Sequence, residues 1–338
     1  MKRAKHIVDN ITLALLRQEA IAAYNARRNK SRRVIAEFRA LMAKGGLETL
    51  LDELQACTWR PAKPYALTIH EQGRKERHLE IPAFRDIVAQ RALAAAGLER
   101  VLLRHTHARS YSSIKGRGPL KCAKHLRRLL ARGRSARWCL YFDVRKYYEH
   151  IDKGLLFADL QRVIKDRRAL ALLRQVLTIG ARGLPIGNTL SHLFANFYLT
   201  PILRAIERLP GVSGLACYMD SVHILSASKR KLHRARLAIV KMLSARGLEM
   251  KGDWQVFRTA IRPISACGFS IAQGRPMRVS KQIARHIKRA LRTFWRTHSP
   301  HDARSALSLY GWPLNAGARN LLSKYFHPAA LRAIKAAA

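Results

Sequence analysis

Residues 138–152, WCLYFDVRKYYEHID, form the segment on which the fold depends. The apolar run from Trp138 to Phe142 predicts a buried strand that ends at Asp143. Taken alone, an aspartate at a strand end is more typical of a turn or a helix cap than of catalysis. Asp152 fits the cap interpretation, because it directly precedes KGLLFADLQRVI, which predicts an amphipathic helix.

A second apolar segment, LACYMDSVHIL at 215–225, predicts a tight hairpin. Its strands are LACY and VHIL, which leaves Asp220 at the tip. This residue alone would also be an ordinary turn aspartate. Asp143 and Asp220 together, however, are two carboxylates that each end an apolar strand. Rigidly held oxygen ligands of this kind suit a two-metal phosphoryl-transfer site.

The chain is strongly basic. Its 338 residues include 64 Lys and Arg against 21 Asp and Glu, so the net charge is +43 and the pI is near 11.4. Phosphate backbones neutralise such charge and release counterions, and a nucleic acid is therefore the expected partner. A merely basic surface and binding to acidic membranes are the alternatives. The hydrophobic content of 48% excludes a disordered chain of low hydrophobicity.

The pattern along the chain predicts a mixed fold in which helices dominate. Residues 1–62 are expected to be helical and basic, and residues 65–82 to form a hairpin in which YALTIH and RHLEIP flank the turn EQGRKE. Helical periodicity resumes at 84–104, and basic helices follow Gly274. The predicted class is α+β.

Cysteine usage predicts a reducing compartment. The five cysteines, at positions 57, 122, 139, 217 and 267, form no CxxC pair, which favours reduced core thiols over disulfides or zinc ligands. The expected location is the cytoplasm. The longest uncharged stretch, residues 183–203, contains two Gly, two Pro and two Asn, so neither a membrane span nor a membrane partner is predicted.

The tryptophans are predicted to be core anchors rather than base-stacking platforms. Large aromatic side chains bury most of their surface in folded proteins, and this is the more frequent role. The residues are Trp59, Trp138, Trp254, Trp295 and Trp312.

Several segments resemble, in order, the motifs of reverse transcriptases. FDVRKYYEHID resembles the first palm motif, and YMDS at 218–221 resembles the YxDD box. RHLEIPAFRDIVAQRAL at 77–93 resembles the fingers motif, and GLPIGNTLSHLFANFYL at 183–199 the third palm motif. LEMKGDWQVF at 248–257 resembles the fourth, lysine-bearing motif, and ACGFSI at 266–271 the primer-grip turn. The resemblance implies a right-hand polymerase, with fingers and palm at 63–275, an antiparallel palm sheet and a helical thumb at 276–338.

The resemblance also implies a catalytic centre. Asp143 and Asp220 would hold two Mg²⁺ ions, with Mn²⁺ as a possible substitute, and Val144 would be a further metal ligand. Lys251 would protonate the leaving pyrophosphate, and a template contact is an equal alternative for it. The substrates would be an RNA template and a cDNA or DNA primer, and a small basic accessory protein is a further expected partner.

The same resemblance assigns nucleotide-binding and primer-binding residues. Tyr148 would pack under the sugar and exclude a 2′-hydroxyl, while Lys75 and Arg77 would grip the triphosphate. Ile186 and Gly187 would line the nucleotide site, and the glycine would allow close approach of the nucleotide or template. The primer grip would consist of Cys267, Gly268 and Phe269.

Two departures refine the resemblance. Ile186 stands where most reverse transcriptases carry glutamine, which is similar to the IGxxxSQ motif of diversity-generating retroelements and implies error-prone synthesis. His192 replaces the glutamine of that motif, so defence-associated and other bacterial reverse transcriptases stay open. Ser221 replaces the second aspartate of the box, and we expect it to reduce metal affinity without abolishing catalysis. A catalytically weakened RNA-binding scaffold is the alternative.

Overall fold

The computed structural model describes residues 4–27, 30–71, 75–180 and 182–338, leaving aside the side chains of residues 70, 71, 75, 77 and 78. The chain divides into two compact units. The first comprises Met1–Ala108, Val144–Arg204 and Val240–Met250. The second comprises Arg109–Asp143, Ala205–Ile239 and Lys251–Ala338.

Helices dominate the described residues, and strands form three small sheets, so the predicted α+β class is confirmed. The helices are α1 (Leu13–Asn25), α2 (Arg32–Met42), α3 (Gly46–Gln55), α4 (Phe84–Leu93), α5 (Glu99–His105), α6 (Pro119–Leu130), α7 (Tyr147–His150), α8 (Lys153–Val163), α9 (Arg167–Thr178), α10 (Ser191–Glu207), α11 (Lys229–Ser244), α12 (Lys281–Thr297), α13 (Pro300–Ala316), α14 (Arg319–Tyr325) and α15 (Pro328–Ala337). The strands are β1 (Tyr65–Glu71), β2 (Lys75–Ile81), β3 (Trp138–Asp143), β4 (Gly214–Tyr218), β5 (Ser221–Ser226), β6 (Gln255–Arg258), β7 (Ile264–Ala266), β8 (Phe269–Ile271) and β9 (Arg278–Val279).

In the first unit, β1 and β2 form the predicted antiparallel hairpin, with Tyr65 opposite Ile81. The helix α8 begins where the sequence predicts, because the Asp152 side chain accepts a hydrogen bond of 2.8 Å from the Leu155 amide. This bond satisfies one of the unpaired amides of the first turn, and the prediction that Asp152 is an N-cap is confirmed.

The second unit contains a four-stranded antiparallel sheet in the order β4-β5-β3-β6. Its core forms where α6 lies on the sheet, because Leu126 and Leu129 of the helix share a cluster with Ala216 of β4 and Leu225 of β5. Burial of each leucine contributes about 1.5–3 kcal/mol. The sheet is therefore a rigid base for residues at the ends of β3 and β5.

The C-terminal helices have a core of their own within the second unit. Ile287, Leu291 and Phe294 of α12 pack with Ala303 of α13 and Phe326. Serines cap both helices: Ser280 accepts from the Ile283 amide, and Ser299 accepts from the Asp302 amide. The predicted basic helices after Gly274 are confirmed.

Burial corrects one prediction about the tryptophans. Trp59 is fully buried and is a core anchor, as predicted, whereas Trp295 is 44% exposed. The sequence pattern around Trp295 is that of an amphipathic helix, and Phe294 rather than Trp295 occupies its buried face. All five cysteines are free thiols, three of them buried. No helix in the described ranges combines the length and apolarity that a membrane crossing requires.

Candidate active site

Asp143 and Ser221 lie opposite each other at the ends of β3 and β5. Antiparallel pairing makes them direct cross-strand partners. The Ser221 hydroxyl donates a hydrogen bond of 2.5 Å to Oδ1 of Asp143. At the position where a second carboxylate would repel Asp143, this chain therefore supplies a neutral hydrogen-bond donor.

Tyr141 supplies a second donor to the same carboxylate. Residues two apart in a strand share a face, so Tyr141 and Asp143 point to the same side of β3. The Tyr141 hydroxyl donates to Oδ2 of Asp143 at 2.6 Å. Burial, followed by the bond to Asp143, raises the pKa of Tyr141, which keeps the phenol protonated as a donor. Each oxygen of Asp143 thus accepts a bond from a protein hydroxyl.

His223 supports Tyr141 from the neighbouring strand. The two residues are cross-strand partners, and their ring centroids are 4.9 Å apart. His223 is only 4% exposed, and burial lowers its pKa to about 4 despite a hydrogen bond to the Ser265 backbone. A neutral imidazole therefore packs against Tyr141, the residue that donates a hydrogen bond to Asp143.

Asp220 lies at the hairpin tip, as the sequence predicts. Tyr218 pairs with Ser221, which leaves Met219 and Asp220 as a two-residue turn. Met219 adopts a left-handed conformation with φ 57°, and its carbonyl accepts a bond of 3.2 Å from the Cys217 thiol. The thiol thus holds the backbone of the turn in place, and with it the position of the half-buried Asp220.

Lys251 is tied to the same strand end. Its amide donates to the Asp143 carbonyl at 2.8 Å, and its ammonium donates to Asp253 Oδ2 at 2.6 Å. The bond to Asp253 raises the pKa of Lys251, which stays charged. Sequence reasoning missed both Asp253 and Tyr141, although each stands two residues from a predicted site residue. That spacing was the available signal.

The donor chemistry of this cluster fits a hard divalent cation. Asp143 and Asp220 contribute carboxylate oxygens, which such ions prefer. Within the described residues, no group of three or more His, Cys, Asp or Glu side chains is arranged to hold a metal.

Val144 belongs to the first unit and is 1% exposed. It pairs with Met250 in an isolated antiparallel bridge. The flanking Arg145 amide donates to the Glu249 carbonyl at 2.8 Å. Because a valine side chain has no donor atom, only the backbone of Val144 could be a metal ligand, and that role stays a prediction.

Tyr148 and the loop that follows α9 lie together in the first unit. The Leu184 amide donates to the Tyr148 carbonyl at 2.8 Å. Gly183 packs so closely that an added Cβ would be 2.0 Å from this carbonyl oxygen. The Tyr148 ring meets Tyr147 edge-on at 5.8 Å. The backbone of Tyr148 is therefore firmly positioned.

Ile186 and Gly187 contact the strand β2. The Glu80 amide donates to the Ile186 carbonyl at 3.0 Å. Gly187 has φ 107°, and a Cβ there would be 3.2 Å from the Glu80 carbonyl oxygen. The requirement for glycine is thus explained by the approach of β2, whereas an approach of nucleotide or template stays a prediction. Lys75 and Arg77 belong to β2, and their side chains lie outside the described residues.

Cys267 and Gly268 form the two-residue turn between β7 and β8, with φ 50° and 78°. A Cβ on Gly268 would be 2.5 Å from the Trp312 ring. Phe269 is 1% exposed and packs on Trp312 at 5.1 Å. The side chain of Phe269 is therefore part of the core, and only its backbone is available to a primer.

Comparisons with known proteins indicate the same family as the motifs do. Residues 69–266, more than half of the chain, match the family model described as reverse transcriptase (RNA-dependent DNA polymerase). Protein YkfC of Escherichia coli is 28% identical over 172 residues, which covers 45% of this chain and 43% of YkfC. The match thus spans less than half of that relative.

Among solved structures, the chain is similar to telomerase from Candida albicans, with 11% identity and a TM-score of 0.49. That similarity covers 86% of this chain and 59% of the telomerase chain. Telomerase from Candida tropicalis gives 10% identity, a TM-score of 0.49 and coverage of 68% and 58%.

Proposed function

This chain belongs to the reverse transcriptase (RNA-dependent DNA polymerase) family, and from that premise we propose that it copies an RNA template into cDNA by metal-dependent nucleotidyl transfer. One observation carries the proposal. Asp143 and Asp220, within the matched residues, end a strand and a hairpin of the same antiparallel sheet, and Asp143 is held there through both of its carboxylate oxygens.

In the proposed mechanism, Asp143 and Asp220 would hold two Mg²⁺ ions, with the Val144 backbone as a further ligand. The chemistry that such ions would supply is activation of the primer 3′-hydroxyl and neutralisation of charge on the leaving pyrophosphate. Tyr141 and Ser221 orient the Asp143 carboxylate. Lys251, which is charged and held near Asp143 by its backbone, is the proposed proton donor to pyrophosphate.

Further residues are proposed to recognise the substrates. Tyr148 excludes the 2′-hydroxyl and so favours dNTPs, while Lys75 and Arg77 contact the triphosphate. Ile186 and Gly187 line the nucleotide site. The backbone of the 267–269 turn contacts the primer. In this proposal residues 63–275 are fingers and palm, and residues 276–338 are the thumb.

The nucleic-acid partners follow from the charge. With 64 basic against 21 acidic residues, the chain suits a nucleic-acid partner, and the proposed activity makes that partner an RNA template paired to a DNA primer. A small basic accessory protein stays a prediction. The assignment to diversity-generating retroelements rests on the IGxxxS pattern of Ile186, Gly187 and Ser191, and it too stays a prediction, with other bacterial reverse transcriptases as the alternative.

Primer extension on an RNA template, with dNTPs or rNTPs and with Mg²⁺ or Mn²⁺, tests the proposal. We expect metal-dependent extension with dNTPs, its loss in Asp143→Ala, and entry of rNTPs in Tyr148→Ala. If wild type gives no metal-dependent product, or Asp143→Ala gives as much product as wild type, the polymerase proposal is wrong. An RNA-binding scaffold would then be favoured, because Ser221 leaves the hairpin with one carboxylate.

A further inference from the structure

The C-terminal helices carry a large charge that their own sequence does not balance. From Lys281 to Ala338 there are 11 Lys and Arg but a single acidic residue, Asp302. Asp302 accepts bonds from Thr297 at 2.6 Å and from Ser299 at 2.8 Å, so it serves the α13 cap. In the described part of the chain, no carboxylate forms an ion pair with a lysine or arginine of α12.

The cations lie along one face of α12. Ile287, Leu291 and Phe294 point into the helical core, whereas Lys288, Arg292 and Arg296 are exposed. Four residues of helix rise about 6 Å, so these three cations form a ladder about 12 Å long. Unpaired cations at regular intervals repel one another, and a chain of phosphates relieves that repulsion.

One side of this ladder opens into a groove of about 420 Å³ with aromatic walls. The groove lies between α12 and the junction of α14 with α15, where Trp295 and Tyr325 line it together with Lys324 and His327. Trp295 is 44% exposed. Its ring contacts with Phe294 and His298 have interplanar angles of 60° and 77°, and neither ring stacks flat on the indole.

We propose that this groove binds a single-stranded segment of nucleic acid, with one base stacked on Trp295 and adjacent phosphates on Arg292, Arg296 and Lys324. The inference rests on the proposed function for the identity of the partner. An indole face bordered by cations matches the combination that binds unpaired nucleotides. Inside a duplex, both faces of each base are already stacked on neighbours, so an exposed tryptophan would gain no stacking away from the duplex ends.

Binding of a short fluorescein-labelled oligouridine, followed by anisotropy, tests the inference. The protein carries Asp143→Ala and is measured without nucleotide or metal, so that catalysis does not contribute. We expect Trp295→Ala to weaken binding by about fivefold or more, since stacking on one aromatic ring is worth roughly 1–3 kcal/mol. Trp295→Phe should retain most of the affinity, because it keeps an aromatic face.

Charge is tested separately. Arg292→Ala should reduce the magnitude of the slope of log affinity against log salt concentration by about one. Arg319→Ala is the matched control, because Arg319 is exposed on α14 and does not line the groove. Thermal unfolding of each variant verifies that the helices remain folded.

The inference is overturned if folded Trp295→Ala binds the oligouridine as wild type does. It is also overturned if a duplex of the same length binds as tightly and is equally weakened by Trp295→Ala, which would indicate a phosphate site for paired strands. Primer extension is scored independently. If the wild-type protein does not extend a primer but oligouridine binding depends on Trp295, the proposed function alone is contradicted. If the wild-type protein extends the primer but binding does not depend on Trp295, this inference alone is contradicted.

Discussion

Replacing Ser221 by aspartate restores the second carboxylate of the YxDD box and so tests what the serine contributes to this site. The wild-type hydroxyl donates to Asp143 Oδ1 at 2.5 Å. Ser221→Asp removes that bond, which is worth about 1.5–3 kcal/mol when the acceptor is charged. It also places a second negative charge near the first, and two like charges about 4 Å apart cost up to roughly 4 kcal/mol at a partly buried site.

We therefore expect Ser221→Asp to be less stable than wild type by about 2–5 kcal/mol in EDTA, the lower end reflecting screening by water. For a unit of this size, the midpoint of thermal unfolding should fall by roughly 5–15 °C. Mg²⁺ should offset about half of the loss or more, because a ligand present at 100 times its Kd stabilises the native state by about 2.7 kcal/mol. Primer extension should then reach half-maximum at a lower Mg²⁺ concentration than in wild type.

Thermal unfolding with and without Mg²⁺, together with a Mg²⁺ titration of primer extension, measures both effects. Ser221→Asn is the matched control, since it has the shape of aspartate without the charge and should gain no Mg²⁺ dependence. The reasoning is refuted if Ser221→Asp is as stable as wild type in EDTA and its extension has an unchanged Mg²⁺ requirement.

Three further perturbations test other parts of the site. Tyr141→Phe removes the donor to Asp143 Oδ2. We expect the rate of primer extension at saturating Mg²⁺ to fall by about tenfold, with unchanged circular dichroism. A wild-type rate would contradict this expectation. The pKa of His223 is lowered to about 4, so its neutral form stabilises the fold above pH 6.5 and that contribution is lost as pH falls towards 4. At pH 5 the loss in the free energy of unfolding is about 2 kcal/mol. Urea unfolding should detect this loss in wild type and find it reduced in His223→Asn. An equal loss in the two proteins would show that the imidazole is already charged in the native state. Gly268→Ala should destabilise by about 1–3 kcal/mol because of its φ of 78° and the Trp312 ring 2.5 Å from the new Cβ, whereas Gly252→Ala, which has open space, should change the unfolding midpoint little.

Local pattern was sufficient to locate the elements that carry the site. The apolar run before Asp143 and the LACY and VHIL strands around Asp220 became β3, β4 and β5. Asp152 caps α8 as predicted. These features depend on neighbours in sequence, because strand alternation, turn geometry and capping involve residues only a few positions apart.

Which aromatic residue of α12 is buried was harder to predict from the sequence. Trp295 follows Phe294 directly, and only one of two adjacent residues can occupy the inner face of a helix. The sequence offered two aromatic candidates, and Phe294 is the one that belongs to the core cluster with Phe326. The prediction of a core role for Trp295 was therefore wrong.

By itself, the sequence determined the family, the order of its motifs and the two strand-end aspartates. Only the tertiary structure decided that Tyr141 and Ser221 both donate to Asp143, and that Gly187 faces the backbone of β2. The reason is physical: a motif records which side chains are present, whereas register between strands far apart in the chain determines which of them meet. Asp143 and Ser221 are 78 residues apart in sequence, and antiparallel pairing alone places their side chains within hydrogen-bonding distance.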